Sequence, residues 1–89
     1  MIGEDKYPRL IDPGITLEQA FRLRYGTILY HRTLKNSDGT PQRWKVNGQP
    51  KTWKRSPDRV QVPIKRGLYE YDYLTESTLK DFTLDEDGI

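Results

Sequence analysis

The sequence contains no cysteine, a single histidine, a single methionine and only two phenylalanines. Without cysteine there are no disulfides, no thiolate metal sites and no cysteine nucleophile. One histidine cannot build a zinc site, which takes three or four ligands, so His31 is expected to be a structural or surface residue. No apolar run approaches the roughly 20 residues of a membrane span, and Met1–Pro8 has no signal-peptide core. Phosphate-loop patterns are missing too, because Asp38-Gly39-Thr40 and Asn47-Gly48 read as turn chemistry. Ser37, Ser56 and Ser77 stand beside no evident general base. Glu70 and Asp72 share one strand face, but a carboxylate pair without a pocket is not an active site. The expectation is a soluble, cytoplasmic, non-enzymatic protein with no cofactor, no metal and no membrane partner.

What the chain does have is segregated charge. From Pro41 to Arg66 stand Arg43, Lys45, Lys51, Lys54, Arg55, Arg59, Lys65 and Arg66 against Asp58 alone. From Gly67 onward the carboxylates are Glu70, Asp72, Glu76, Asp81, Asp85, Glu86 and Asp87, against Lys80 alone. The overall net charge of +2 hides this asymmetry. Such a field draws a polyanion to one surface and repels it from another, which makes nucleic acid the first partner to consider.

At 89 residues the chain is one domain, near the lower end of what an unaided core supports. Residues 1–14, interrupted by Pro8 and Pro13, read as an N-terminal arm, residues 15–84 as the domain and residues 85–89 as an acidic tail. Thr16 with Gln19 three residues on forms a capping box, and the apolar spacing predicts a helix over 16–25, stopped by Gly26. The remainder reads as strands. Thr27–Leu34 is β-branched and aromatic, and it ends at Asn36-Ser37-Asp38-Gly39. Gln42–Val46 and Gln49–Lys54 flank Asn47-Gly48, the strongest short signal for a two-residue hairpin, with Pro50 marking an edge. That hairpin puts Trp44 and Trp53 on one face, diagonally related, and groups Arg43 and Lys45 with Thr52 and Lys54 on the other. Arg59–Lys65 alternates Val60, Val62 and Ile64 inward, and Leu68–Leu74 aligns Tyr69, Tyr71 and Tyr73 opposite Glu70 and Asp72. Thr75–Lys80 reads as a helical turn and Phe82–Leu84 as a last short strand. Five to six short strands with frequent turns predict a mainly β fold with a leading helix, an SH3-like barrel first, with an OB-like barrel or an open α+β sheet behind it.

The basic patch carries the candidate site: Arg43, Lys45, Lys51, Lys54, Arg55, Arg59, Lys65 and Arg66, with Trp44 and Trp53 beside them. Cations neutralise phosphates while aromatic faces stack on bases. Against this, outward strand positions are often charged for solubility, and edge lysines discourage aggregation. The tryptophans are expected in the core or at its rim, and the tyrosines form a half-buried face or an exposed stacking strip.

The run LYHRTLKNSDGTPQRWKVNGQPKTWK, with its motifs YHRTLKN, DGTP, VNG and TWK, is similar to small uncharacterised proteins of bacterial, phage and mobile-element origin. The resemblance extends over Ile28–Leu74. It transfers no activity residue by residue and implies only an accessory protein acting on a larger machine.

The leading expectation is a module that contacts DNA or RNA with low sequence specificity, as a monomer or weak homodimer. Its rivals are a phage-type adaptor or inhibitor docking on a host nucleoprotein, and a self-assembling structural subunit whose basic and acidic faces meet between copies.

Overall fold

A computed structural model describes residues 14–85; the expected arm up to residue 13 and the tail from residue 86 lie outside the described residues. The Thr16 hydroxyl accepts the Gln19 N–H at 3.1 Å and the Gln19 side chain accepts the Thr16 N–H at 2.9 Å, so the capping box forms as read. The helix it opens, α1, covers only Leu17–Phe21. It stops short of Tyr25 because its last turn tightens, with Arg22 donating to the Gln19 carbonyl and Leu23 to the Ala20 carbonyl. Leu23 is thereby turned into the core. Gly26, at φ 92°, then donates to the Val46 carbonyl at 2.8 Å, tying the chain to the sheet.

Six antiparallel strands form one sheet: β1 Ile28–Lys35, β2 Pro41–Val46, β3 Lys51–Trp53, β4 Ser56–Arg66, β5 Glu70–Thr75 and β6 Phe82–Thr83. A short 3-10 turn, Leu79–Asp81, precedes β6. β1 lies between β2 and β6, with Leu29 opposite Trp44 and His31 opposite Phe82. β5 pairs the second half of β4, from Gln61 opposite Thr75 to Arg66 opposite Glu70.

The Asn47-Gly48 hairpin does not form, because β2 and β3 do not pair with each other. Both run along one side of β4: Val46 lies opposite Ile64, and Lys51 opposite Gln61. They form a single interrupted arm, and the hairpin closes instead at Lys54-Arg55, where Trp53 lies opposite Ser56. The interruption has a cause in Pro63. Its carbonyl accepts the Asn47 N–H at 2.7 Å, so its absent N–H falls on that same side and cannot continue the ladder. The intervening segment bulges there, with Gly48 pressed on the proline: a Cβ on Gly48 would stand 2.7 Å from Pro63 Cγ. Pro50 lies in the bulge, not in a strand.

The pairing also separates the tryptophans. Val60, Val62 and Ile64 point inward as their alternation predicts, and Trp44 and Val46 join them in the core. Trp53 projects from the other face, so the expected diagonal contact between the two indoles is absent. Lys51, not Thr52, shares the outward face with Arg43 and Lys45, since Thr52 lies opposite inward Val60. Leu29, Leu74 and Phe82 complete the sheet's inner face, which Ile15, Ala20, Leu23 and Leu79 cover. The sheet is not closed: β5 pairs only β4 and β6 pairs only β1 among the described residues, so the fold is an open, mainly β sheet with one short helix.

β1 carries its own irregularity. Its register against β2 shifts between Tyr30 and Lys35. The Nδ1 of His31 fills the gap, accepting N–H bonds from Thr33 at 3.2 Å and Leu34 at 3.0 Å. Its ring stands edge-on to Phe82 with centroids 4.9 Å apart. Burial holds its pKa below the usual imidazole value, with Asp81 pulling weakly the other way. The lone histidine is structural, as its isolation suggested.

Candidate functional site

The inner face is spent on the core, and the outer one carries most of the exposed charge of β2, β3 and β4. Because β-strand side chains alternate, the observed register assigns every strand residue to a face. Ile28 on β1, Lys45 on β2, Lys65 on β4 and Tyr71 on β5 form one outward row across four strands. The rows beside it hold Tyr30 with Arg43, and Pro63 with Tyr73. Further along β4, Gln61 lies between Lys51 and Thr75, and Arg59 stands by Trp53.

Five cations of the basic patch therefore share the outer face: Arg43, Lys45, Lys51, Arg59 and Lys65. No carboxylate occupies an outward position in these rows, since Asp58, Glu70 and Asp72 have the opposite parity on β4 and β5. Cations therefore outnumber carboxylates on this face, although Glu76 lies near Arg59 and Asp72 lines the depression beside Tyr71 and Tyr73.

Aromatic rings are interleaved with the cations. The Arg43 guanidinium lies 5.9 Å from the Tyr30 ring centroid. Trp53 is bracketed by Arg59 at 4.1 Å and Lys51 at 5.3 Å. Tyr71 and Tyr73 are 62% and 54% exposed and have no ring or cation stacked on them among the described residues. They flank a depression of about 330 Å³ lined also by Asn47, Pro63, Ile64 and Asp72. A neighbouring one of about 400 Å³ is lined by Ile28, Arg43, Trp44, Lys45, Lys65, Gly67 and Leu68.

The remaining candidates fall elsewhere. Lys54 and Arg55 sit exposed in the β3–β4 turn, at the end of this face. Arg66 has the inward parity and is tied down, paired with Glu70 and donating to the Asn36 side chain at 3.3 Å. Trp44 is buried at 6% exposure, its indole N–H donating to Gln42 at 3.3 Å. Arg66 is thus engaged on the inward side, and Trp44, though almost wholly buried, reaches the wall of the depression that Lys45 and Lys65 line.

Tyr30, Tyr71 and Tyr73 are the residues the basic patch did not include. For Tyr71 and Tyr73 the signal was present in their period-two spacing. What the sequence did not contain was the pairing of β5 with β4, which sets Tyr71 directly beside Lys65.

The acidic third is partly consumed by structure. The Glu76 carboxylate accepts the Val60 N–H at 2.9 Å, standing in for the next ladder partner where β5 ends. That bond lowers its pKa, with Arg59 nearby adding to the effect. Asp38 caps its turn by accepting from the Thr40 hydroxyl and N–H, and its pKa is lowered by those bonds. Among the described residues no group of three or more potential ligands is placed to hold a metal ion, and no helix is long and apolar enough to cross a membrane.

Comparison with protein-family models, with curated proteins and with solved structures found no match to the chain. The likeness of Ile28–Leu74 to small phage-type proteins has no support from them.

Proposed function

We propose that this chain is a non-enzymatic module that binds nucleic acid through the outer face of its sheet, with low sequence specificity. The observation that carries the reading is the shared face of Arg43, Lys45, Lys51, Arg59 and Lys65, interleaved with aromatic rings and without a carboxylate in its rows. Phosphate contacts supply affinity and ordered cations supply the counterion-release term. The reading does not rest on Trp44, which is almost wholly buried, or on Arg66, which is paired with Glu70. Lys54 and Arg55 extend the positive strip beyond the hairpin turn. The open sheet reads as an SH3-like barrel parted between β5 and β6, and a cysteine-free binder of this kind fits a reducing cytoplasm.

The test is binding of labelled DNA and RNA oligonucleotides at about 50 and about 200 mM salt, where phosphate contacts differ most. If all five outward cations meet phosphates, the log–log slope of affinity against salt is about −3.5 to −4.5. A flat response overturns the reading.

One observation favours a second reading, a protein-docking adaptor. Leu68 and Tyr69 are exposed together at the β4–β5 turn, next to the basic depression. An apolar tip beside a charged surface suits an anchor with electrostatic steering. Failure of every oligonucleotide to bind at low salt would move the proposal there.

A further inference from the structure

Resting on the nucleic-acid reading above, we infer that the ligand is a single strand, its bases stacked on Tyr71 and Tyr73 and its backbone held by the adjacent Lys45–Lys65 pair.

The argument begins with what the other outward rings are doing. Trp53 is already covered by Arg59 and Lys51, and Tyr30 already lies under Arg43. Among the described residues, Tyr71 and Tyr73 are the strand rings on this face with no ring or cation stacked on them, the Tyr71 hydroxyl donating to the Leu68 carbonyl at 3.5 Å. Two mid-strand tyrosines more than half exposed leave apolar area in water that inward packing would have removed. A flat base restores that burial, and every base has such a face, which is why stacking platforms tolerate sequence.

Spacing then separates single strand from duplex. Tyr71 and Tyr73 are two residues apart on one strand, so their Cα atoms stand about 6.8 Å apart. Stacked bases in a duplex rise about 3.4 Å. Bases resting on both tyrosines are therefore splayed from each other, an arrangement open to single strands and closed to paired ones. The cross-strand neighbour of Tyr71 is Lys65, and that of Lys65 is Lys45, so a cation pair lies one and two strands away from the first ring. At about 4.8 Å per strand, this offset separates a base from a backbone path beside it. Asn47 lines the depression next to the rings and can both donate to and accept from a base edge. A duplex would use the cations and leave the tyrosines idle.

The experiment measures binding of a labelled strand of about 12 deoxythymidines, within the span of small-barrel sites, and of a duplex of equal length, at one salt concentration. It compares the parent protein, the double variant Tyr71→Ala/Tyr73→Ala and the double variant Tyr71→Phe/Tyr73→Phe, each checked for folding by circular dichroism. The parent should bind the single strand at least about tenfold more tightly than the duplex, the alanine pair should lose at least about tenfold on the single strand with its salt slope unchanged, and the phenylalanine pair should retain binding. Equal affinity for duplex and single strand, or alanine variants that bind as the parent does, overturns the inference while leaving salt-dependent binding intact. Failure of all oligonucleotides, at any salt, removes the parent reading and this one with it.

Discussion

The Arg59 guanidinium lies 4.1 Å from the centroid of the Trp53 ring, although the two residues belong to opposite arms of the β3–β4 hairpin. The contact bridges the stretch where their register slips, between Thr52 and Trp53. It does for the hairpin's end what ladder hydrogen bonds no longer do, and it also presents the cation outward. Replacing Arg59 by alanine should cost about 0.5–1 kcal/mol, the worth of an exposed cation–π pair. Urea unfolding reads that loss. Acrylamide quenching of tryptophan emission should rise in parallel as the ring is uncovered.

The five outward cations should be separable from Arg66 by their salt response. Lys45→Ala and Lys65→Ala should each reduce the magnitude of the salt slope by about 0.7–0.9. Arg66→Ala should leave the slope unchanged and reduce stability slightly, because its side chain is engaged with Glu70 and Asn36. Oligonucleotide titrations across a salt series distinguish the two patterns.

Gly48 should not tolerate a side chain. A methyl there meets Pro63 Cγ at 2.7 Å, and the proline ring is held within β4 and cannot step aside. Gly48→Ala is expected to destabilise by about 1–3 kcal/mol, the usual range for overpacking. The companion change Pro63→Ala opens that space, so the double variant should recover part of the loss. Urea midpoints of the four proteins give the cycle.

This bulge is also where sequence reasoning failed, and the cause is physical. Asn-Gly favours a type I′ turn, which needs positive φ at both residues. No residue other than glycine has a positive φ here, and Gly48 is not among the glycines that do. The turn lost to burial: a hairpin at Asn47-Gly48 would set Val46 against Gln49 and Trp44 against Lys51. The observed register sets Val46 against Ile64 instead. Local turn propensity, about a kilocalorie in scale, is outweighed by complete burial of Val46, worth about 1.5–3 kcal/mol. Where local and tertiary demands agreed, the sequence was readable. The Thr16–Gln19 capping box, the Val60, Val62 and Ile64 alternation, and the Tyr71–Tyr73 spacing all belong to that group. The cations were readable as a cluster, but their division between outward and tied-down positions depended on pairings the sequence does not spell out.

Stability should fall as the solution is acidified below about pH 6.5. The His31 pKa is lowered in the folded chain by burial, so the unfolded chain binds the proton more readily. Its contribution is complete above the ordinary imidazole value of 6.5 and is lost as pH falls through the folded value. Protonated Nδ1 can no longer accept from Thr33 and Leu34, so the β1 irregularity loses both bonds together. Urea midpoints at pH 7.5 and pH 5 should differ in that sense, and the difference should shrink in His31→Asn. Glu76 and Asp38, whose values are lowered by hydrogen bonds, add their losses only at lower pH, below the usual carboxylate range.

The strand connections set an order of assembly. β2, β3, β4 and β5 follow one another through short turns, so the rows holding Lys45, Lys65 and Tyr71 join segments close in sequence. The pairing of Tyr30 with Thr83 and of His31 with Phe82 instead spans most of the described chain. Loop-closure entropy makes such distant pairs slow to form. The outer surface can therefore be drawn up before the final wall of the interior is in place. Until β6 docks, Phe82 cannot cover Trp44 or His31, and the half-built interior is the surface at greatest risk of misassociation.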